Sequence, residues 1–165
     1  FYRGGAAGQG GFFFAARIGF DTWTAGDRLF VGFSAATATT VCTVNPTTLT
    51  NTIGFSINAA STSISFITND GTGNATVAST IAGQPALATN NDYAMYIFAK
   101  PNDTVVSWQI DDINTGLKIA EGQVTTDLPV NTTMLVAHAC MSNGTNTVAG
   151  NASLGVNRIY IETDR

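Results

Sequence analysis

Residues 12–20 read FFFAARIGF. Laid out as an extended strand, they place Phe12, Phe14, Ala16, Ile18 and Phe20 on one face and Phe13, Ala15, Arg17 and Gly19 on the other, because successive strand side chains point to opposite sides. A surface strand of an antiparallel protein has one apolar face and one solvated face. Here the second face carries Phe13, the small Ala15 and a single charge, Arg17. The stretch is a strand, and it needs cover on both sides.

The same pattern returns twice. RLFVGF (28–33) sets Leu29, Val31 and Phe33 against Phe30 and Gly32, and YAMYIFA (93–99) sets Tyr93, Met95 and Ile97 against Tyr96 and Phe98. A two-layer sandwich buries one face of each sheet. The remaining apolar faces are expected to lie under loops of the same chain or under neighbouring subunits.

Helical periodicity is nearly absent along the chain. Short β-rich runs bounded by turn residues recur instead, the pattern of a sandwich or barrel. Strands are expected at about 11–20, 28–35, 53–58, 63–68, 76–80, 93–100, 104–112, 117–124, 133–141 and 154–162. TAGD (24–27), NDGTGN (69–74), KPND (100–103), NTG (114–116) and SNGTNT (142–147) supply turns, the second with an Asp-Gly hairpin signal. Residues 1–10 read as a Gly-rich lead-in and 11–165 as one all-β antiparallel domain. The chain opens at Phe1 without Met and with no secretory leader pattern, which reads as a piece or mature form of something longer.

A chain of 165 residues can bury roughly 70% of its unfolded surface, enough to fold without staples. Only 11% of its residues are charged, against about 25% in ordinary globular proteins. Thr, Asn, Ser, Ala and Gly replace the charge and leave a neutral polar surface. A net charge of −4 argues against nucleic acid, which calls for a basic patch, and offers no attraction to an anionic membrane. No apolar run is long enough to span a bilayer. Cys42 and Cys140 fit no metal-binding spacing; they read as buried thiols acting as small hydrophobes, with a disulfide as the alternative.

Catalytic patterns are missing from the sequence. Asp111 and Asp112 are adjacent on a strand and point to opposite faces, so they are not the facing pair that glycoside hydrolysis uses. Asp21 and Asp27 flank a turn and read as solvated. GFSAA and GFSIN lack the second glycine of a nucleophile elbow. His138 shares a strand face with Val136 and Cys140 and reads as packed. NDGTGN has the alternate acceptors of a calcium loop, but Thr80 stands where the bidentate Glu belongs. No enzyme, cofactor or metal is expected. The Asn-x-Ser/Thr sequons at Asn74, Asn102 and Asn131 follow from the Asn- and Thr-rich composition.

Four segments together carry a resemblance: RGGAAGQGGFFFAARIGF, TAGDRLFVGFSA, YIFAKPNDTVVSWQIDDINTG and the ending LGVNRIYIETD. As a set they resemble the C-terminal domain of phage tail-fibre and receptor-binding proteins from phages and prophages of Gram-negative bacteria, over nearly the whole chain. The resemblance implies a lectin-like sandwich of the concanavalin or jelly-roll kind. It implies a homotrimer at the distal end of a virion fibre or spike, or on another external appendage. It implies recognition of a bacterial surface polysaccharide, capsule or lipopolysaccharide, without chemistry. A ligand-free trimerisation cap is the alternative. IETD followed by one residue matches the family's ending, so residue 165 is expected to be the C-terminus.

Within that frame, Phe13 and Ala15 are expected near a three-fold axis, with Arg17 paired to Asp111 or Asp112. A sugar site needs an aromatic platform beside planar polar groups. Trp23, between two strands, is the platform candidate, with Asp21, Asp27 and Arg28 around it. Asn69, Asp70 and Asn143 in the two polar loops complete the candidate set. Trp108, between Val106 and Ile110 on one strand face, is assigned to the core.

Overall fold

The computed structural model describes residues 10–83, 91–101, 103–145 and 152–163. Residues 1–9 of the expected lead-in, the sequon at Asn102 and the end of the 142–147 loop lie outside them. The strands are β1 (Phe12–Thr22), β2 (Arg28–Ser34), β3 (Thr52–Ile57), β4 (Ile64–Asn69), β5 (Thr76–Ile81), β6 (Asn91–Ala99), β7 (Val106–Asp112), β8 (Leu117–Val124), β9 (Val136–Ser142) and β10 (Ser153–Thr163). They form two five-stranded sheets, β10-β1-β6-β7-β8 in front and β5-β4-β3-β2-β9 behind. Every neighbouring pair is antiparallel. The fold is a β-sandwich.

The alternation in the sequence decides which residues meet between the sheets. Phe12, Phe14, Ile18 and Phe20 of β1 face Leu29, Val31 and Phe33 of β2 and Ile53, Phe55 and Ile57 of β3 in one buried core. Phe14 meets Phe33 at 5.1 Å edge to face, and Trp108 stacks on Phe66 at 5.2 Å. Each such buried ring contributes about 2–3 kcal/mol through the apolar area it removes from water. Gly122 stands opposite Trp108, and a Cβ there would lie 2.7 Å from the indole. Trp108 is core, as its place on the strand face predicts.

The second face of the back sheet is covered by the chain itself. Residues 35–51 cross it as a strap containing helix α1 (Ala38–Thr43) and a 3-10 turn at Pro46–Thr48. Phe30, Val41, Leu49, Ile67 and Ala75 form a second buried cluster beneath the strap. The Phe30 ring fits because its neighbour Gly54 has no side chain; a Cβ there would sit 3.0 Å from the ring. A six-residue helix is too short to be stable alone, so its anchors matter. Thr37 caps its first turn by accepting from the Thr40 amide. At the other end Arg28 donates to the Thr43 carbonyl at 2.7 Å and to Asn45 Oδ1 at 3.2 Å, a cation where the helix dipole favours one.

Cys42 and Cys140 are joined in a disulfide, with Cα atoms 5.8 Å apart, which corrects the reading of two free thiols. The strap lays Cys42 over β9, a proximity across 98 residues that sequence spacing does not contain. His138, two residues earlier on the same face, is also buried. Burial holds its imidazole below the ordinary value, which keeps the ring neutral at pH 7.

A disulfide closing so long a loop stabilises by about 4 kcal/mol, mainly by restricting the unfolded chain. Calorimetry of the Cys42→Ala/Cys140→Ala variant is therefore expected to give a Tm about 10 °C lower. An unchanged Tm would mean that the strap is held by packing alone.

Candidate functional site

The second face of the front sheet is not covered among the described residues. Strand register arranges its side chains in three rows across all five strands. The first row is Glu162, Phe13, Phe98, Ser107 and Gln123; the second is Tyr160, Ala15, Tyr96, Gln109 and Glu121; the third is Arg158, Arg17, Ala94, Asp111 and Lys118. Aromatic groups therefore gather on β10, β1 and β6, and planar polar groups on β7 and β8.

Phe98 and Tyr160 are 41% and 40% exposed. Phe13 is half-buried, stacked near Tyr96 at 6.2 Å and tilted against Tyr160 at 6.3 Å. Ala15 stands between the two tyrosines and leaves a depression where a larger side chain would fill the row. Beside the rings lies a cleft of about 770 Å³, bordered by Phe13, Tyr96, Phe98, Ser107, Gln109, Asp111, Glu121 and Gln123, within the size range of ligand sites. Gln109 Nε2 donates to Asp111 at 2.7 Å, Gln123 donates to the Ser107 hydroxyl, and Lys118 pairs with Glu121. Glu162 accepts from the Tyr160 hydroxyl at 3.1 Å and raises that phenol above its ordinary value. The arrangement supplies ring faces for apolar C–H surfaces and donors and acceptors for hydroxyl groups.

The loop residues singled out in the sequence stand elsewhere. Trp23 is only 6% exposed and belongs to the core, so its ring has no open face for a sugar. Asp27 is fully buried; its carboxylate accepts from the Thr24 amide and folds TAGD back onto the sandwich. Arg28 is engaged with the strap. Asp21 is exposed and Asn143 half-buried. Asn69 is buried, accepting from the Asn51 and Gly71 amides and donating to the Thr72 carbonyl. Asp70 accepts from both the hydroxyl and the amide of Thr72, which hold its carboxyl below the usual range.

These residues do not form one site. Register puts Arg28 and Ser142 at one end of the back sheet, and Ser34, Thr52 and Asn69 at the other. Six residue steps of β2 lie between, roughly 20 Å. The 69–74 loop is closed on itself and bonded to Asp127, through the Asp70 amide at 2.9 Å. Among the described residues no group of three or more His, Cys, Asp or Glu is placed to hold a metal ion.

Arg17 is exposed and has no ion pair among the described residues, so the expected partnership with Asp111 or Asp112 is not formed within this chain. Tyr160, Gln109, Glu121 and Gln123 were not singled out from the sequence. The signal was present: Ser107, Gln109 and Asp111 alternate on β7, and Glu121 and Gln123 on β8, opposite the core positions.

No protein-family model matches the sequence, and no curated protein matches it. The fold is similar to part of the crystal structure of Bacteriophage CBA120 tailspike protein 2, enzymatically active domain, with a TM-score of 0.53 and 17% identity. The likeness covers 97% of this chain and 23% of that one, so the chain spans about a quarter of its length.

Trp23→Ala is expected to act on stability. Truncating a core indole costs about 3–5 kcal/mol, read as a large drop in the urea midpoint. A variant of wild-type stability would return Trp23 to the surface and to the binding candidates.

Proposed function

We propose that this chain is the receptor-binding domain of a phage tail fibre or spike, and that it holds a bacterial surface polysaccharide on the open face of the front sheet. The observation that carries this reading is the juxtaposition on that face of exposed rings with planar amides and carboxylates. The resemblance in sequence and the shared fold with part of a phage tailspike support the virion setting. In a homotrimer, three weak sites acting together would give firm attachment through effective concentration.

Tyr96→Ala and Phe98→Ala are expected to weaken binding to an array of bacterial surface polysaccharides at least tenfold. Both side chains are partly exposed on a sheet surface, so circular dichroism melting should be nearly unchanged. Wild-type binding in both variants would move the site off this face. An array bound by neither wild type nor variants would favour the ligand-free folding cap.

One observation favours a second reading. Asp111 and Glu121 are diagonal neighbours in the cleft, a carboxylate pair that the adjacent Asp111 and Asp112 do not provide. Facing carboxylates are the requirement for glycoside hydrolysis, and the similar tailspike structure is titled an enzymatically active domain. Here Glu121 is paired with Lys118 and Asp111 accepts from Gln109, which suits ligand positioning. Incubation with bound polysaccharide should release no reducing ends. Release abolished by Glu121→Gln would establish the hydrolase instead.

A further inference from the structure

The third row of the open face begins with two arginines. Arg17 of β1 and Arg158 of β10 are direct cross-strand partners, and both are exposed. Like charges placed opposite each other destabilise a strand pair. In a chain with seven Lys and Arg in all and a net charge of −4, this pairing is not a by-product of a basic surface. Neither arginine has an ion pair among the described residues; the Arg158 guanidinium lies 5.5 Å from the Tyr160 ring centre.

The backbone is irregular at the same place. Arg17 pairs with Arg158 and Ile18 with Val156, so Asn157 is an extra residue in β10. Bulges of this kind re-aim a side chain, and this one sits beside Arg158. A second depression of about 260 Å³ opens there, lined by Phe13, Ala15, Arg17, Tyr96, Arg158 and Tyr160. It shares Phe13 and Tyr96 with the larger cleft, so the two depressions adjoin.

We infer that Arg17 and Arg158 form a carboxylate subsite at the end of the cleft, and that the polysaccharide bound is acidic, with a uronic or similarly carboxylated sugar in its repeat. The inference rests on the glycan-binding reading above and narrows it. Guanidinium groups present paired donors that match a carboxylate, and the flanking rings receive the sugar that bears it. Asp111 and Glu121 along the cleft and Glu162 beside Tyr160 oppose a continuous polyanion. The face therefore suits a chain with isolated carboxylates between neutral sugars.

The test is an NMR titration of the folded domain with methyl glucuronide and, separately, methyl glucoside, for wild type, Arg17→Gln, Arg158→Gln and Tyr96→Ala. The glucuronide should shift the Arg17 and Arg158 side-chain signals and bind at least fivefold tighter than the glucoside. Each Gln variant should lose about that preference and keep its glucoside affinity and its Tm. Tyr96→Ala should weaken both sugars alike. Equal affinity for the two sugars, lost in Tyr96→Ala, would overturn the carboxylate subsite and leave the glycan cleft standing. Glucuronide shifts that persist in both Gln variants would overturn it too. No shift on this face from either sugar would overturn subsite and cleft together.

Discussion

A strand that is apolar on both sides must be covered twice, and among the described residues the second cover is supplied only once. The back sheet carries its own strap, held by Phe30 and Ile67 beneath, by Arg28 at the end of the helix, and by the Cys42–Cys140 disulfide. Asn45 adds a lock, its side-chain oxygen accepting from both Arg28 and the Ala59 amide. The front sheet has no such segment among the described residues. Phe98 and Tyr160 stay on the surface there, while residues 35–51 cover the sheet behind. The candidate site is the consequence of that asymmetry.

Most of the architecture was legible in the sequence because side-chain alternation is a local signal. All ten strands lie within about three residues of their expected bounds, and the inward residues of β1, β2 and β6 are those the alternation names. The strap helix was not legible. ATTVCT has no apolar period, and its stability comes from a distant disulfide and a buried Phe. Trp23 misled for a related reason. Between two strands nothing nearby claims an indole, but Asp27 bonds back to Thr24 and turns the loop over the core. The two polar loops looked like one site because sequence does not say which end of a sheet a turn occupies. Only the antiparallel register does.

Phe13 and Arg17 show how a correct local reading leaves the partner open. Their outward direction follows from period two alone, and a subunit neighbour was the expected cover. The full face is more highly charged than the core of such an interface usually is. A subunit interface core is depleted of charged groups, whereas this face has Arg17, Arg158, Asp111, Glu121 and Lys118 within three rows. Burying it against another protein would strand several of them without water. The polysaccharide proposed above would leave part of the face wet and has hydroxyl groups that suit its amides.

The lateral edge of the front sheet differs in character from its open face. β10 borders the front sheet, and Val156, Ile159 and Ile161 are exposed along it. On the back sheet, Met134 before β9 and Val136 on its strap side are exposed as well. A long apolar edge strand is a surface on which another strand pairs readily. The two sides of β10 therefore differ, with Ile159 and Ile161 on one and Arg158 and Tyr160 on the other. The period of two that makes FFFAARIGF apolar on both sides of β1 gives its neighbour β10 an aliphatic side and a more polar one.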